Sequence, residues 1–447
     1  MNRFFVLVAM LCAVLFLPSQ DFAQAPSSSQ APATSQPATS AAPQTLTLAQ
    51  AQVIALSNRP SLLAAQFTAQ QAGAITSEVR SAYFPEVFDN ATGADAENNS
   101  RITAGGLNNP IIYDRFADGV VINQLATDFG RTHSLVKSSD LEAKSQEQNA
   151  QATREDVLLQ VDESYFRTLE AEAVLRVAKQ EVDARQLVVN QVTTLAKNQL
   201  RSSLDVSFAN VNLAQAQLFL TQAGSNLEAA FADLSLALGY SDNRSFALEE
   251  EPMPERPAAA LSDLIAEAFQ QRPELAGSRL HLQSAQEYAK AQAEVWNPTL
   301  SAVAVAGVTP VREPPLASNY AAAGFNLTIP IFDGRLYSAR HREAEFAADA
   351  AREQVNELAD QVARDVRVAY NDANTAFQNL GLTDQLKQQA DLALQLAQAR
   401  YNLGLSSIVE LSEAQLNQAQ AGVAQAQAKY QFQISVDSLN YQTGQLH

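Results

Sequence analysis

The sequence predicts a mainly α-helical chain whose few β-strands, if it crosses a membrane, help to build a membrane β-barrel. Three observations predict it. Short motifs recur in one order at nearly constant spacing, so one unit is present twice. Each unit holds a helical stretch of about 65 residues, free of proline and glycine in the first and broken only by Gly381 in the second. No run after residue 25 reaches 18 apolar residues, so a membrane crossing would use strands.

The duplication is legible in the motifs. Arg59-Pro60-Ser61-Leu62 recurs 213 residues later as Arg272-Pro273-Glu274-Leu275, and Pro85 recurs as Pro298 at the same spacing. Gly130-Arg131 recurs as Gly334-Arg335 at 204. Leu200, Asp205, Ala209 and Gly239 recur as Leu405, Glu410, Ala414 and Gly444 at 205. The spacing changes because the first copy carries a longer excursion, around 94–118, rich in Asn, Gly and Asp. Exposed loops absorb such insertions.

The expected organisation runs as follows. Residues 1–25 read as a secretory signal, with Arg3, an apolar run from Phe4 to Leu17, and Ala23-Gln24-Ala25 as a small-x-small cleavage site. Leu11 stands before Cys12 where a lipid-attachment signal has a small residue. Residues 26–44, rich in Pro, Ala and Ser, read as a disordered tether. Residues 45–240 and 261–447 are the two repeats, joined by an acidic, Pro-containing linker at 241–260.

Within each repeat a helical stretch opens, at 47–83 and 261–296, split early by Pro60 or Pro273 and ended by Pro85 or Pro298. A pair of strands follows. The clearest strand is Ala321 to Phe332, where Phe325, Leu327, Ile329 and Ile331 alternate with Asn326, Thr328 and Pro330. Then come long helices, from about His133 to Lys197 and from Leu336 to Tyr401, the second broken at Gly381; each spans roughly 100 Å. Return helices cover about 204–238 and 408–441.

Rows spaced by seven mark the helix seams. Val161, Thr168, Leu175, Val182, Val189 and Ala196 form one, and Val157, Ser164, Ala171, Ala178, Arg185 and Val192 its companion. Ala209, Ala216, Ala223, Ala230 and Ala237 form another. Alanine rows let helices approach closely, and the period implies left-handed supercoiling.

Composition excludes several functions. Lys plus Arg total 30 against 48 Asp plus Glu, so the surface repels nucleic acid. The one cysteine is Cys12, which leaves no disulfide and no thiolate metal site. His133, His281, His341 and His447 have no partner at metal-ligand spacing, and there is no phosphate-binding or dinucleotide fingerprint. No enzyme, cofactor or metal is expected. Four strands per chain leave two open edges, which lipid does not tolerate, so if these strands are in a membrane several chains must pool them. The count alone allows a dimer or a trimer. A soluble periplasmic coiled-coil scaffold is the alternative reading; a hydrolase is a distant third.

The motifs together resemble the TolC-like outer membrane efflux family. The resemblance rests on Leu46-Thr47-Leu48, Arg59-Pro60, Arg272-Pro273-Glu274-Leu275, Pro330-Ile331-Phe332-Asp333-Gly334-Arg335, and Tyr401-Asn402-Leu403-Gly404-Leu405 with Val409-Glu410-Leu411. It spans about residues 45–445. It implies a homotrimer in the outer membrane, in which twelve strands close one barrel and twelve helical strands make a periplasmic tunnel. It also implies partners: a periplasmic adaptor and an inner-membrane transporter of the RND or ABC class.

The resemblance assigns site residues too. The turns at Asn198, Gln199, Leu200 and Ser202 and at Leu403, Gly404, Leu405 and Ser406 become adaptor-docking tips. Gln199, at the place of Gly404, suggests a different turn in the first copy. Glu410 and Glu413, one helical face apart by three, become an acidic pore constriction. Acids just inside a helix start also favour the helix dipole. Asp205 and Tyr401 match residues that hold neighbouring hairpins closed. Ser406 replaces an arginine of a second closing link, for which Arg201 is a substitute. Trp296 reads as an anchor at the lipid headgroups.

Overall fold

The computed structural model describes residues 45–95, 101–104, 107–111, 114–312 and 317–446, with backbone only at 101–104 and 107–111. The expected signal at 1–25 and tether at 26–44 lie outside the described residues. The first repeat comprises β1 (Thr45–Leu46), α1 (Leu48–Asn58), α2 (Pro60–Arg80), β2 (Glu86–Ala94), β3 (Arg101–Ala104), β4 (Leu107–Ile111), β5 (Arg115–Thr127), α3 (Arg131–Lys197) and α4 (Ser203–Ala237). The linker holds β6 (Ala247–Leu248). The second repeat comprises α5 (Leu261–Gln271), α6 (Pro273–Ala293), β7 (Thr299–Val311), β8 (Asn319–Thr328), α7 (Leu336–Asn402) and α8 (Ile408–Thr443).

The helices match between repeats almost residue for residue. α3 and α7 each have 67 residues, α2 and α6 each 21. Pro60 and Pro273 occupy the first turns of α2 and α6, where no N–H is needed. Thr47 caps α1 in a capping box with Gln50. The break before Pro60 lies against Gly239, at the end of α4, where a Cβ would stand 2.9 Å from Asn58. Gly444 meets Gln271 in the same way. α4 and α2 therefore lie end to end along α3.

The heptad rows are the seams. Val157, Val161, Ala178 and Val192 on α3 are buried, as are Ala209, Ala216 and Ala223 on α4. α3 meets α6 through small residues. The Ser138 hydroxyl donates to the Ser284 carbonyl (2.9 Å), and the Ser284 hydroxyl donates back to the Ser138 carbonyl (2.8 Å). Ser145 donates to Gly277 (2.8 Å). A Cβ on Gly277 would stand 2.8 Å from the Asn149 Oδ1 and 3.3 Å from the Ser145 carbonyl. Gly277→Leu should thus wedge the seam open and cost about 1–3 kcal/mol in thermal or denaturant unfolding.

Two sequence expectations change. Gly381 does not break α7, because one glycine costs only about 1 kcal/mol in a helix that packs along its whole length. β8 ends at Thr328 rather than Phe332. Pro330 has no N–H to donate, so the ladder stops before it.

β2, β5, β7 and β8 form one antiparallel sheet in the order β2-β5-β7-β8. β3 and β4 pair as a separate hairpin inside the longer first excursion. Both crossings from strand to long helix use the same acid. Asp128 accepts from the N–H of Gly130 and of Thr132; Asp333 accepts from that of Arg335 and of Tyr337. Two consecutive residues there take positive φ: Phe129 (55°) and Gly130 (117°), Gly334 (69°) and Arg335 (74°). The glycine is second in one copy and first in the other. The structural equivalence is therefore Gly130 with Arg335, at 205, and not the 204 of the sequence motif. Trp296 packs edge-on against Tyr337, 5.3 Å between ring centroids, just beyond this corner.

The acidic linker is not a solvated spacer. β6 pairs with β1, and the buried Tyr165 hydroxyl lies between the carbonyls of Leu46 (2.8 Å) and Glu249 (2.7 Å). Glu250 pairs with Lys429 and Arg176, and the Gln433 amide donates to the Glu251 carbonyl. The linker thus straps α1, α3 and α8 at the waist. Beneath it Asp162, held by the Gln52 amide (2.7 Å), and Asp437 are both pushed up to about 7. Burial is the main cause, with Asp437 adding to Asp162 and Glu251 to Asp437. The folded waist holds protons that the unfolded chain releases above about pH 4. Its stability should fall as pH rises from about 4 to 7. Asp162→Asn should flatten that dependence, as read by thermal unfolding at pH 5.5 and 7.5.

Candidate functional site: the helical tip

At the far end of the helices, two turns join α3 to α4 and α7 to α8. Both end their long helix in the same way. The N–H of Leu200 donates to the Leu195 carbonyl (2.9 Å) and that of Leu405 to Arg400 (2.9 Å), around Gln199 (φ 63°) and Gly404 (φ 73°). The different turn expected from Gln199 is not formed. Gln199 accepts the left-handed conformation that Gly404 adopts freely, at a cost of about 1 kcal/mol. Gln199→Gly should recover part of that cost, read as slower hydrogen exchange at 195–205.

The return helices start on side-chain caps. Ser202 accepts from the N–H of Asp205, and Asp205 accepts from that of Ser202, each at 3.2 Å. Ser407 accepts from the Glu410 N–H (3.3 Å). An apolar plug fills the space behind: Val188, Val192, Ala209, Ala397, Tyr401, Ile408 and Leu411. Beyond it the tip is apolar and exposed, with Leu200, Leu204, Leu403 and Leu405 each about 70% accessible.

The predicted gate residues come together only in part. Tyr401 is buried at 2% exposure, and its hydroxyl has no partner among the described residues. Asp205, expected to bond it, instead caps its own helix. The Arg201 guanidinium sits over the Tyr401 ring, 4.7 Å from its centroid. Burial pushes the Tyr401 phenol up; Arg201 opposes this and Asp205 adds to it. Asn198 donates to the Thr194 carbonyl, and the Ser406 hydroxyl is buried without a partner among the described residues. Glu410 and Glu413 are both exposed. Glu410 is not a free carboxylate: the Arg400 Nε lies 3.1 Å from it, across the turn.

Sequence reasoning missed a buried polar network just behind the plug. Arg185 on α3 donates to Glu181 (2.6 Å), to the Gln415 side chain (2.8 Å) and to the Ser412 carbonyl (3.2 Å). Asn212 on α4 donates to the Ser412 hydroxyl (2.8 Å). Arg185, Glu181 and Gln415 are all buried. The available signal was a cation inside a heptad row of valine and alanine. Among the described residues no cluster of His, Cys, Asp and Glu could hold a metal, and no helix is long and apolar enough to cross a membrane.

A tip of paired helical hairpins at one end and an open antiparallel sheet at the other suit a channel wall. The profile of the outer membrane efflux protein family matches residues 51–240 and 264–445. The chain belongs to the outer membrane efflux protein family. Its members are channels, and this chain has their fold. The Outer membrane protein TolC of Salmonella enteritidis is 22% identical over 351 residues, covering 74% of this chain and 72% of that one. The outer-membrane channel OprN superposes with a TM-score of 0.78 at 20% identity, covering 89% of each chain. The Neisseria gonorrhoeae MtrE outer membrane channel superposes at 0.74 and 18% identity, covering 89% and 88%. The two family matches fall on the two repeats and leave out residues 241–263, which contain most of the strap.

Proposed function

We infer that three copies of this efflux-family chain form a passive exit duct across the outer membrane and periplasm. The observation that carries this reading is the sheet. Its outer strands, β2 and β8, have 9 and 10 residues, the length a tilted membrane strand needs. Among the described residues both are unpaired on one side. They also run in opposite directions, because three antiparallel pairings separate them. β8 of one copy can therefore pair with β2 of the next and keep the whole ring antiparallel. Repeating one heterologous contact closes a ring. Three copies give twelve strands, the number the family uses.

The helices then continue the barrel as a periplasmic tunnel, with the exposed leucines of the two turns at its end. These turns are the docking sites for a periplasmic adaptor, which links the duct to an inner-membrane RND or ABC transporter. Energy comes from that transporter. Glu410 and Glu413 face the constriction, and Tyr401 with Arg201 holds adjacent hairpins together. The unpartnered Tyr401 hydroxyl supports a closing bond supplied by rearrangement of Asp205 or by a neighbouring copy.

Fractionation and native mass test this reading. The protein should sediment with outer membranes and leave detergent extraction at three times the mature chain mass. Recovery as a monomer in the soluble periplasm would defeat it.

A further inference from the structure

One row of the sheet is unlike the others. Asn90, Gly119, Gly307 and Tyr320 stand side by side on β2, β5, β7 and β8. The Tyr320 side chain reaches back across both glycines. A Cβ on Gly119 would collide with the Tyr320 hydroxyl and stand 2.9 Å from the Gly307 Cα. A Cβ on Gly307 would collide with the Asp118 carbonyl oxygen on β5 and meet the Tyr320 hydroxyl at 2.5 Å and its Cζ at 2.6 Å. Two adjacent strands thus lack side chains where the ring of the third lies. The two glycines form a trough, and the aromatic ring lies flat in it.

The row can be placed in the barrel. Tyr320 shares its face with Gly324, Asn326 and Thr328, while Phe325 and Leu327 point the other way and are 78% and 56% exposed. On β5, Gly119 and Val121 are less exposed than Val120 and Ile122, so the Tyr320 face is the concave one. Thr92, Arg115, Ala117 and Thr309 line a depression beside the ring on this face. In a barrel the concave, more polar face is the lumen. Tyr320 lies eight residues along β8 from Thr328, roughly 27 Å from the helical junction and near the outer mouth.

We propose that the Gly119–Gly307 trough sets the bore at the outer end of the duct by laying the Tyr320 ring of each copy against the wall. This rests on the duct reading above. Bulky residues in place of the glycines would stand three phenol rings up into the passage. The trough is thus a permeability determinant distinct from the tip.

Cysteine labelling from outside the cell tests both levels separately. With Cys12→Ala as background, Asn326→Cys should react with polar maleimides and Phe325→Cys should be protected. The opposite pattern, or no labelling at Asn326→Cys, would defeat the lumen assignment and the duct reading with it. Given the expected pattern, Gly119→Ala should slow labelling of Asn326→Cys by a bulky polyethylene-glycol maleimide while leaving a small sulfonate reagent unaffected. Adding Tyr320→Ala should restore the rate. If Gly119→Ala does not assemble, Gly324→Tyr gives the same reading. A Cβ at Gly324 meets nothing within 4 Å and the residue across from it is Val303, so that ring has no trough. Unchanged labelling by the bulky reagent in the assembled variants would overturn the proposal.

Discussion

Arg185→Ala is expected to destabilise the tip by about 3–5 kcal/mol, because it strands the buried Glu181 carboxylate without its cation. It also strands the Gln415 side-chain oxygen and the Ser412 carbonyl, which Arg185 holds from the facing helix. The loss should appear in thermal unfolding of the detergent-solubilised protein and as faster hydrogen exchange at 181–192 and 411–416. The paired change Arg185→Met/Glu181→Leu should recover most of it, since a well-packed apolar pair can match a buried ion pair. A loss under about 1 kcal/mol for the single variant would mean that water reaches the network, so that it does not clamp α3 to α8.

Removing the acidic pair should abolish divalent-cation block of the pore. Glu410→Ala/Glu413→Ala is expected to lower the affinity for a blocking divalent cation by about a hundredfold in planar-bilayer recordings. The two carboxylates should not contribute equally. Arg400 already neutralises part of Glu410, whereas no cation lies within 4.0 Å of Glu413 among the described residues. Glu413→Ala alone should therefore remove most of the block, and Arg400→Ala should strengthen it. Equal effects of the two single glutamate variants would show that the Arg400 pair does not persist in the assembled pore. Unchanged block in the double variant would remove both residues from the constriction.

Much of the architecture was legible because it depends on local rules. Pro60, Pro273, Pro85 and Pro298 mark helix starts and stops, and proline acts through its own missing N–H. Helix α3 could be read from an absence of breakers over 65 residues and α7 from its likeness to α3 on either side of Gly381, and the alternation around Phe325 gave β8 its faces. The repeat helped with one more strand, since the one ending before Gly130 is the twin of the clear one ending before Gly334.

What failed to show depends on contacts between distant residues. Glu410 meets Arg400 only because the turn brings α7 and α8 side by side. Glu249 to Glu251 read as linker acids, yet Tyr165, Arg176, Lys429 and Gln433 hold them, each 74 or more residues away in sequence. Gln199 hid the common turn because residue type is a weaker guide to a left-handed position than the hydrogen bonds around it. The shifted glycine at Gly130 and Gly334 misled for the same reason: the pair of positive-φ residues is kept, and which of the two is glycine is not. Arg185 was visible at a heptad position, but its partners on α8 lie more than 220 residues away.

The central claim is that β8 of one copy pairs with β2 of the next in a closed ring of three. A chain carrying Glu86→Cys on β2 and Asn326→Cys on β8, both on the face assigned to the lumen, treated in membranes with a flexible bis-maleimide, tests it most directly. The expected result is a denaturing-gel ladder of one, two and three linked chains that stops at three. Cross-linking confined to single chains, or a ladder ending at two or running past three, would contradict it.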